Sequence, residues 1–305
     1  MAVKLKKQPK SIRLNTNKRK MIIASYLFIA PAMVLFALFF YYPMLRAFFY
    51  SLTDYNALST MRWAGLSNYK RLFTDQDFIK AVTNTLKYLL IIVPSLVVLP
   101  LLLAQLVNQK LKGMYLFRLL FYMPYVTSTV AVSIVWGFLY HPEGLVNSIL
   151  KLMGFFQNSA APNWLIDSKT ALFAVAIVEI WKTMGYYMII YLAALQSVPG
   201  ELYESACLDG ARSYQVMMKI TIPCIRPQIL VVSILSTISA IKIFDSIYMM
   251  TQGGPLNSTL SLSMYIYQQG FVNLELGYAS AIGVVLWLAL VALSLLNFKL
   301  NARRD

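Results

Sequence analysis

Six predominantly apolar runs, each near the ~20 residues that a helix needs to cross a bilayer, punctuate this chain. They lie near residues 21–45, 86–107, 115–140, 171–195, 229–250 and 277–300. Hydrocarbon offers no partner to an open N–H or C=O, so a run that enters it must close its own backbone bonds as a helix. The pattern therefore predicts an all-α polytopic membrane protein with six transmembrane helices. Composition agrees, since 13% of the residues are charged, against roughly 25% in soluble domains. The first run follows a basic tail but is too long for a cleaved signal segment, and no small-residue cleavage site follows it promptly. It reads as a retained span. The expected organisation is a basic tail at 1–20, one transmembrane domain at 21–300 and a short tail at 301–305, without an obvious internal repeat.

Net charge is +15, and its distribution matters more than its sum. Seventeen Lys and Arg fall in the two tails and in the second and fourth connections. Seven fall in the alternate loops, and Lys87, Lys182 and Lys242 lie inside apolar runs. By the positive-inside rule both termini and the connection at 197–227 are expected in the cytoplasm. Tyr41, Tyr42, Trp136 and Tyr140 are then expected near outer span ends, where interfacial aromatics gather. The basic balance is read as topology, and no nucleic-acid partner is expected. Cys207, Cys224 and the single His141 make no metal-ligand cluster, and the cysteines are expected as packing residues.

One polar stretch interrupts the apolar C-terminal half, ELYESACLDGARSYQVMMKITIP at residues 201–223. Pro199 suits a helix start, and Glu201 and Glu204 suit the positive end of its dipole. Tyr203, Ala206 and Gly210 share a face that is small-sided apart from Tyr203. Asp209-Gly210 reads as a turn, followed by a second short helix from Ala211 towards Ile222 that ends before Pro223. Two readings fit this pattern: a pair of amphipathic helices lying on the inner leaflet, or a docking hairpin projecting into the cytosol. With only Arg212 and Lys219 as basic residues, the hairpin lacks the charge density of a lipid anchor, which favours docking.

The spacing has a recognisable form. Glu204-Ser205-Ala206, three residues, Gly210, nine residues, then Ile220-Thr221-Ile222-Pro223 resembles the EAA motif of bacterial ABC-importer permeases, with Ser205 and Ile222 as mild departures. The segments WAGLSNYKRLF (63–73), NTLKY (84–88), FRLLFYMPYVTSTVAVSIVW (117–136), LQSVPGELYESACLDGA (195–211) and TQGGP (251–255) are similar to the carbohydrate-uptake branch of that family. Its members include permease subunits for maltose, glycerol phosphate and multiple sugars. The resemblance runs roughly from Tyr26 to Phe298.

The resemblance implies a permease subunit of the bacterial inner membrane whose hairpin, between spans four and five, is a coupling helix seated on a separate ATPase. Glu204, Ser205, Ala206, Asp209, Gly210, Arg212, Ile220 and Pro223 are its candidate coupling residues. An Asp209–Arg212 pair inside the hairpin is the alternative use of those two charges. The implied partners are ATP-binding ABC subunits carrying ATP and Mg, a second and related permease chain, an extracytoplasmic sugar-binding protein and membrane lipid. No G-x-x-x-x-G-K-[ST] phosphate loop is present, so neither ATP hydrolysis nor any bound cofactor is expected on this chain.

Charges inside a span are costly and normally face a partner or a wet cavity. Glu179 and Lys182 in the fourth run, and Lys242 and Asp245 in the fifth, are each spaced i, i+3. Glu179 and Lys242 fall at similar expected depth, which suggests facing pairs Glu179–Lys242 and Lys182–Asp245. Satisfaction of each pair within its own helix, substrate binding, and an interhelical brace or gate all remain open from sequence. The segment EIWKTMGYYMIIY (179–191) adds Trp181, Tyr186, Tyr187 and Tyr191 with Gly185, and resembles the Gly-Tyr segment that helps line the sugar site of the maltose permease subunit, matching it directly at Gly185-Tyr186. Gly185 is read as a place where backbone approaches a ligand. Ser236, with Thr237 and Ser239, offers hydroxyls, while core packing is the alternative for each aromatic.

The competing class is an ion-coupled secondary transporter using the intramembrane charges. That class would show repeat symmetry and interrupted helices, and would leave the EAA spacing unexplained. An intramembrane zinc enzyme lacks its H-E-x-x-H motif.

Overall fold

The computed structural model describes residues 16–56, 58–109, 112–155 and 161–302. Much of the basic tail expected at 1–20, and residues 303–305 of the short C-terminal tail, lie outside them.

Residues up to Phe49 form one unit, and Tyr50 onward the other. The first holds α1 (Thr16–Phe36) and, after a π turn at Ala37–Tyr41, most of α2 (Tyr42–Ser51). The stretch Lys18–Ser51 is apolar on all sides, and its most hydrophobic window has no buried residue. The π turn has a local cause. The Tyr42 amide bonds back to Ala37 O, five residues away, immediately before Pro43, which has no amide to donate and would clash with a regular helix turn.

The second unit opens with a two-stranded antiparallel pair, β1 (Thr53–Asp54) and β2 (Arg62–Trp63), the only strands among the described residues. Then come α3 (Ser67–Leu72), α4 (Gln76–Val107), α5 (Met114–Val126), α6 (Thr129–Leu139) and α7 (Leu145–Leu152). The long α8 (Ala171–Ser197) leads into α9 (Gly200–Leu208), α10 (Ser213–Val216), a π turn (Met217–Thr221) and α11 (Ile222–Cys224). The chain ends with α12 (Arg226–Ile241), α13 (Asp245–Met250), α14 (Leu262–Tyr267), a π turn (Gln268–Val272) and α15 (Leu276–Ala302).

Among the described residues, five helical stretches are long and apolar enough to cross a membrane: Lys18–Ser51, Gln76–Val107, Ala171–Ser197, Arg226–Met250 and Leu276–Lys299. The run expected as one span at 115–140 is instead α5 and α6, bent by 99°. Pro124 removes an amide near the end of α5, and Thr127 and Ser128 adopt extended backbone. Hydropathy averages over such a break because its residues are small and few. The span expected from residue 86 starts ten residues earlier, at Gln76, with Asp75 as its cap. Asp77, Lys80 and Lys87 lower the hydropathy there without weakening the helix.

The core joins Tyr88, Ile92 and Leu96 of α4 to Val175, Met188 and Tyr191 of α8, Val232 and Ile241 of α12 and Ile282 of α15. One cleft is lined by both Asp77 and Lys80 of α4 and by Ser168 and Lys169 just before α8. The two helices therefore start at the same end of this unit and run in the same direction. At 1.5 Å per residue, the 27 residues of α8 carry the chain ~40 Å onward to the polar stretch that follows Ser197.

At the starting end, three side chains tie the loops to the helices. Asn68 donates to the carbonyls of Ser51 and Thr53, both at 2.9 Å. Asp75 caps α4 through the amides of Asp77 and Phe78 at 3.0 and 3.2 Å. The other oxygen of Asp75 accepts the hydroxyls of Tyr265, at 2.6 Å, and Tyr278. Arg71 bonds Glu275 at 2.6 Å and lies over the Tyr278 ring. Tyr140, expected near an outer span end, is buried by neighbouring side chains close to the start of α8, its hydroxyl donating to Ala174 O at 3.2 Å.

Candidate functional site

Two regions hold the residues singled out by sequence. In the first, the chain turns back on itself after α9. Gly210 has φ +71°, a left-handed conformation that favours glycine. The Ala211 amide bonds Ala206 O at 2.9 Å and the Gly210 amide bonds Cys207 O at 3.1 Å, which closes the helix as a Schellman turn. Tyr203 OH lies 3.4 Å from Thr221 Oγ1 and links the two arms. Ala206 and Thr221 are buried between the arms, whereas Glu204, Ser205, Asp209, Gly210, Arg212 and Pro223 are exposed and Ile220 is half-buried.

The second arm does not stop before Pro223. Its π turn brings the Ile222 amide to Met217 O, and the helix passes through the proline by the same device as at Pro43. Asp209 and Arg212 do not pair; the Arg212 amide instead bonds Gln215 Oε1 at 2.8 Å. Cys207 and Cys224 are exposed rather than packed. Beside the charges, large apolar side chains are also exposed on the hairpin, Leu208 at 90%, Tyr214 at 70% and Met218 at 57%.

The second region is a 390 Å³ cavity between α5, α6, α8, α12 and α13. Glu179, Lys182, Tyr186, Lys242 and Asp245 all line it. The four charges meet there without pairing with one another, and the two on α8 bond hydroxyls instead. Lys182 Nζ donates to Thr129 Oγ1 at 2.6 Å, and Glu179 Oε2 accepts Ser246 Oγ at 2.9 Å. Thr129 opens α6 after the bend, and Ser246 lies in the first turn of α13, so the broken helices deliver the partners. Tyr125 of α5 stacks on Tyr186 at 4.6 Å with 15° between the rings. Tyr187, one of the aromatics read from the 179–191 segment, lines the cavity too, while Tyr125, Thr129, Phe244 and Ser246 escaped sequence reasoning. A polar Thr-Ser-Thr cluster inside an apolar run was the available signal for Thr129.

Three candidates lie elsewhere. Trp181 faces an apolar crevice with Trp136 and Met123. Ser236 is fully buried and bonds Ser233 O at 3.1 Å. Gly185 is buried against α5, where an added Cβ would sit 1.9 Å from Phe121 O. The close approach read from this glycine is thus made by a neighbouring helix backbone.

Residues 76–305 match the family of binding-protein-dependent transport system inner membrane components. The chain belongs to that family. The lactose transport system permease protein LacF of Rhizobium radiobacter is 36% identical over 92% of this chain and 95% of its own length. The arabinooligosaccharides transport system permease protein AraP of Bacillus subtilis is also 36% identical, over 91% and 88%. Among solved structures, a bacterial ABC transporter involved in the import of the acidic polysaccharide alginate superposes with a TM-score of 0.81. It is 26% identical and covers 94% of this chain and 98% of the solved one. As a family member this chain is a multi-pass membrane permease component, with both the hairpin and the charged cavity inside the matched region. Interrupted helices, expected of the competing ion-coupled class, are present at both breaks lining the cavity, so family membership and not helix continuity separates the two classes.

Proposed function

We propose that this chain is a permease subunit of an ATP-driven ABC importer, moving a mono- or oligosaccharide across the bacterial cytoplasmic membrane by alternating access. The observation that carries this reading is one chain of this family bearing both a hairpin with exposed large apolar side chains and, about midway along α8, a tyrosine-faced charged cavity. The hairpin is the coupling element. Leu208, Tyr214 and Met218 offer apolar contact to a separate ATPase, Glu204, Asp209 and Arg212 offer charge, and Gly210 sets the turn. ATP and Mg act on that partner. Both termini lie in the cytoplasm with the hairpin, in keeping with the Lys and Arg distribution.

The carbohydrate assignment rests on the lactose, arabinooligosaccharide and alginate systems to which the chain is similar. Chemistry supports it, since stacked tyrosines meet the C–H faces of a sugar ring while Lys182, Glu179 and Asp245 reach its hydroxyls. A second, related permease chain completes the pathway and an extracytoplasmic binding protein delivers the sugar. Reconstitution of the importer in proteoliposomes tests this. Sugar uptake that needs ATP and ignores ionophores is expected. Uptake driven by an ion gradient without ATP would return the ion-coupled reading.

A further inference from the structure

Phe244 lines the charged cavity, but it is also the first member of an aromatic series leading out of it. Its ring lies 5.5 Å from Tyr248 and 5.3 Å from Tyr267. Tyr248 and Tyr267 meet edge to face at 5.2 Å, and Tyr267 stacks on Phe271 at 5.5 Å. The four rings come from the α12–α13 break, α13, the end of α14 and the π turn after it. Tyr248 sits one helical turn beyond Phe244, in the direction in which the Arg226–Met250 stretch leaves the hairpin.

Tyr248 and Tyr267 open onto a second cavity, also of 390 Å³, whose other lining residues are Gln252, Met264, Gln268, Val272 and Asn273. No lining residue is charged, unlike the first cavity. The carboxamides of Gln252, Gln268 and Asn273 each both donate and accept hydrogen bonds. Gln252 holds φ +50°, an unfavourable backbone conformation for a residue with a Cβ. Such conformations persist where surrounding structure over-determines them, often at ligand sites. A π turn forms part of the wall, another feature that recurs at functional positions.

We infer that this second cavity is a subsite for a neutral carbohydrate ring, and that the Phe244–Tyr248–Tyr267–Phe271 series hands sugar units between it and the charged cavity. The chemistry that selects the ligand is the alternation of ring faces with neutral carboxamides. A pyranose has apolar C–H faces and an equatorial belt of hydroxyls, and both requirements are met without a charge to desolvate. A lipid chain would leave the carboxamides unpaired, and an ionic ligand would find no counter-charge. The inference rests on the carbohydrate reading above and extends it to a site separate from the charged cavity.

Thiol protection in the complete importer tests it, with the complex in lipid nanodiscs and the binding protein omitted. Val272→Cys reports on the second cavity and Ser239→Cys on the first; Val272 lines the second cavity, is exposed and offers no hydrogen bond of its own. Modification by a small maleimide is followed at each peptide by mass spectrometry, so the native Cys207 and Cys224 stay in place. Maltotriose, lactose and arabinotriose at millimolar concentration are the probes. The expected result is that one of them slows modification at Val272→Cys severalfold. Adding Tyr267→Ala should weaken that protection by about fivefold, the worth of one aromatic face, while Tyr267→Phe preserves it. Protection at Ser239→Cys with none at Val272→Cys overturns the subsite and leaves the carbohydrate reading standing. Protection at neither position by any of the three sugars overturns both. Blocking of Val272→Cys by sugar-free binding protein but not by sugar makes this face a docking surface and overturns the subsite. Equal protection with Tyr267→Ala removes the aromatic series from the argument and overturns the hand-over.

Discussion

The Asn84 carboxamide donates to the backbone carbonyl of Asn257 across 2.8 Å, joining residues 173 positions apart. The same nitrogen reaches Leu260 O at 3.1 Å, Thr85 Oγ1 accepts the Leu262 amide at 3.0 Å, and Tyr88 OH donates to Thr259 O at 3.3 Å. NTLKY and the loop opened by TQGGP, distant in sequence, thus form one contact that anchors the α13–α14 connection on α4. Asn84→Ala leaves buried carbonyls unpaired and is expected to destabilise by about 2 kcal/mol. A lowered unfolding temperature in detergent and faster proteolysis within residues 252–260 would show it.

Gly185→Ala is expected to be more damaging than its size suggests. The new Cβ meets the Phe121 carbonyl and the Tyr122 backbone, which cannot swing away as a side chain would. α5 must move off α8, at about 3 kcal/mol or more, and the Tyr125–Tyr186 stack moves with it. Low yield of folded protein, with lost uptake in whatever folds, is the expected outcome. A fully stable Gly185→Ala protein would contradict this packing.

The Asp75 carboxylate predicts a pH dependence with a definite sign. Burial pushes its pKa up, but the hydroxyls of Tyr265 and Tyr278 and the amides of Phe78 and Asp77 outweigh that and hold it below the ordinary carboxylate value. Its contribution to stability is complete above the unfolded pKa of about 3.9 and fades as pH falls through the lower folded value. Asp75→Asn should therefore lower the unfolding temperature by a constant amount from pH 8 down to about pH 5, and the gap should narrow below about pH 4.

At Gly210 a substitution tests the proposed coupling role with little disturbance of the fold. An added Cβ there finds no atom within 4 Å, so Gly210→Val strains the left-handed backbone by about 1–2 kcal/mol without a clash inside this chain. The expected phenotype is an assembled complex whose ATP hydrolysis no longer drives uptake. Normal uptake by Gly210→Val would remove the hairpin from the coupling role.

Lys242 and Asp245 are exposed to the charged cavity and neither is needed to bury a partner. The double variant Lys242→Leu, Asp245→Leu should fold normally, and its uptake should fall at least tenfold, a loss of about 1.4 kcal/mol in the pathway. Unchanged uptake would place both residues outside the pathway and leave Glu179 and Lys182 as its charged pair.

Hydropathy, the break at residues 201–223 and the spacing from Glu204 to Pro223 were sufficient to read the class of fold, the hairpin and its glycine turn. Each depends on local chemistry: runs of side chains that exclude water, a backbone that must close its own bonds, and a residue without a Cβ where φ is positive. The spacing of Glu179 to Lys182 and of Lys242 to Asp245 marked four charges in need of a partner or a wet cavity, and left open which they would have. Sequence could not say what those charges would touch. Thr129 and Ser246 became their partners only because α5–α6 bends by 99° and α12–α13 breaks at Phe244. It likewise could not say that Gly185 makes room for Phe121 rather than a ligand, or that Asn84 and Asn257 belong together. Periodicity reports how one helix presents its faces. Which face meets which neighbour is decided by how several helices fill a common volume, and only the tertiary structure carries that information.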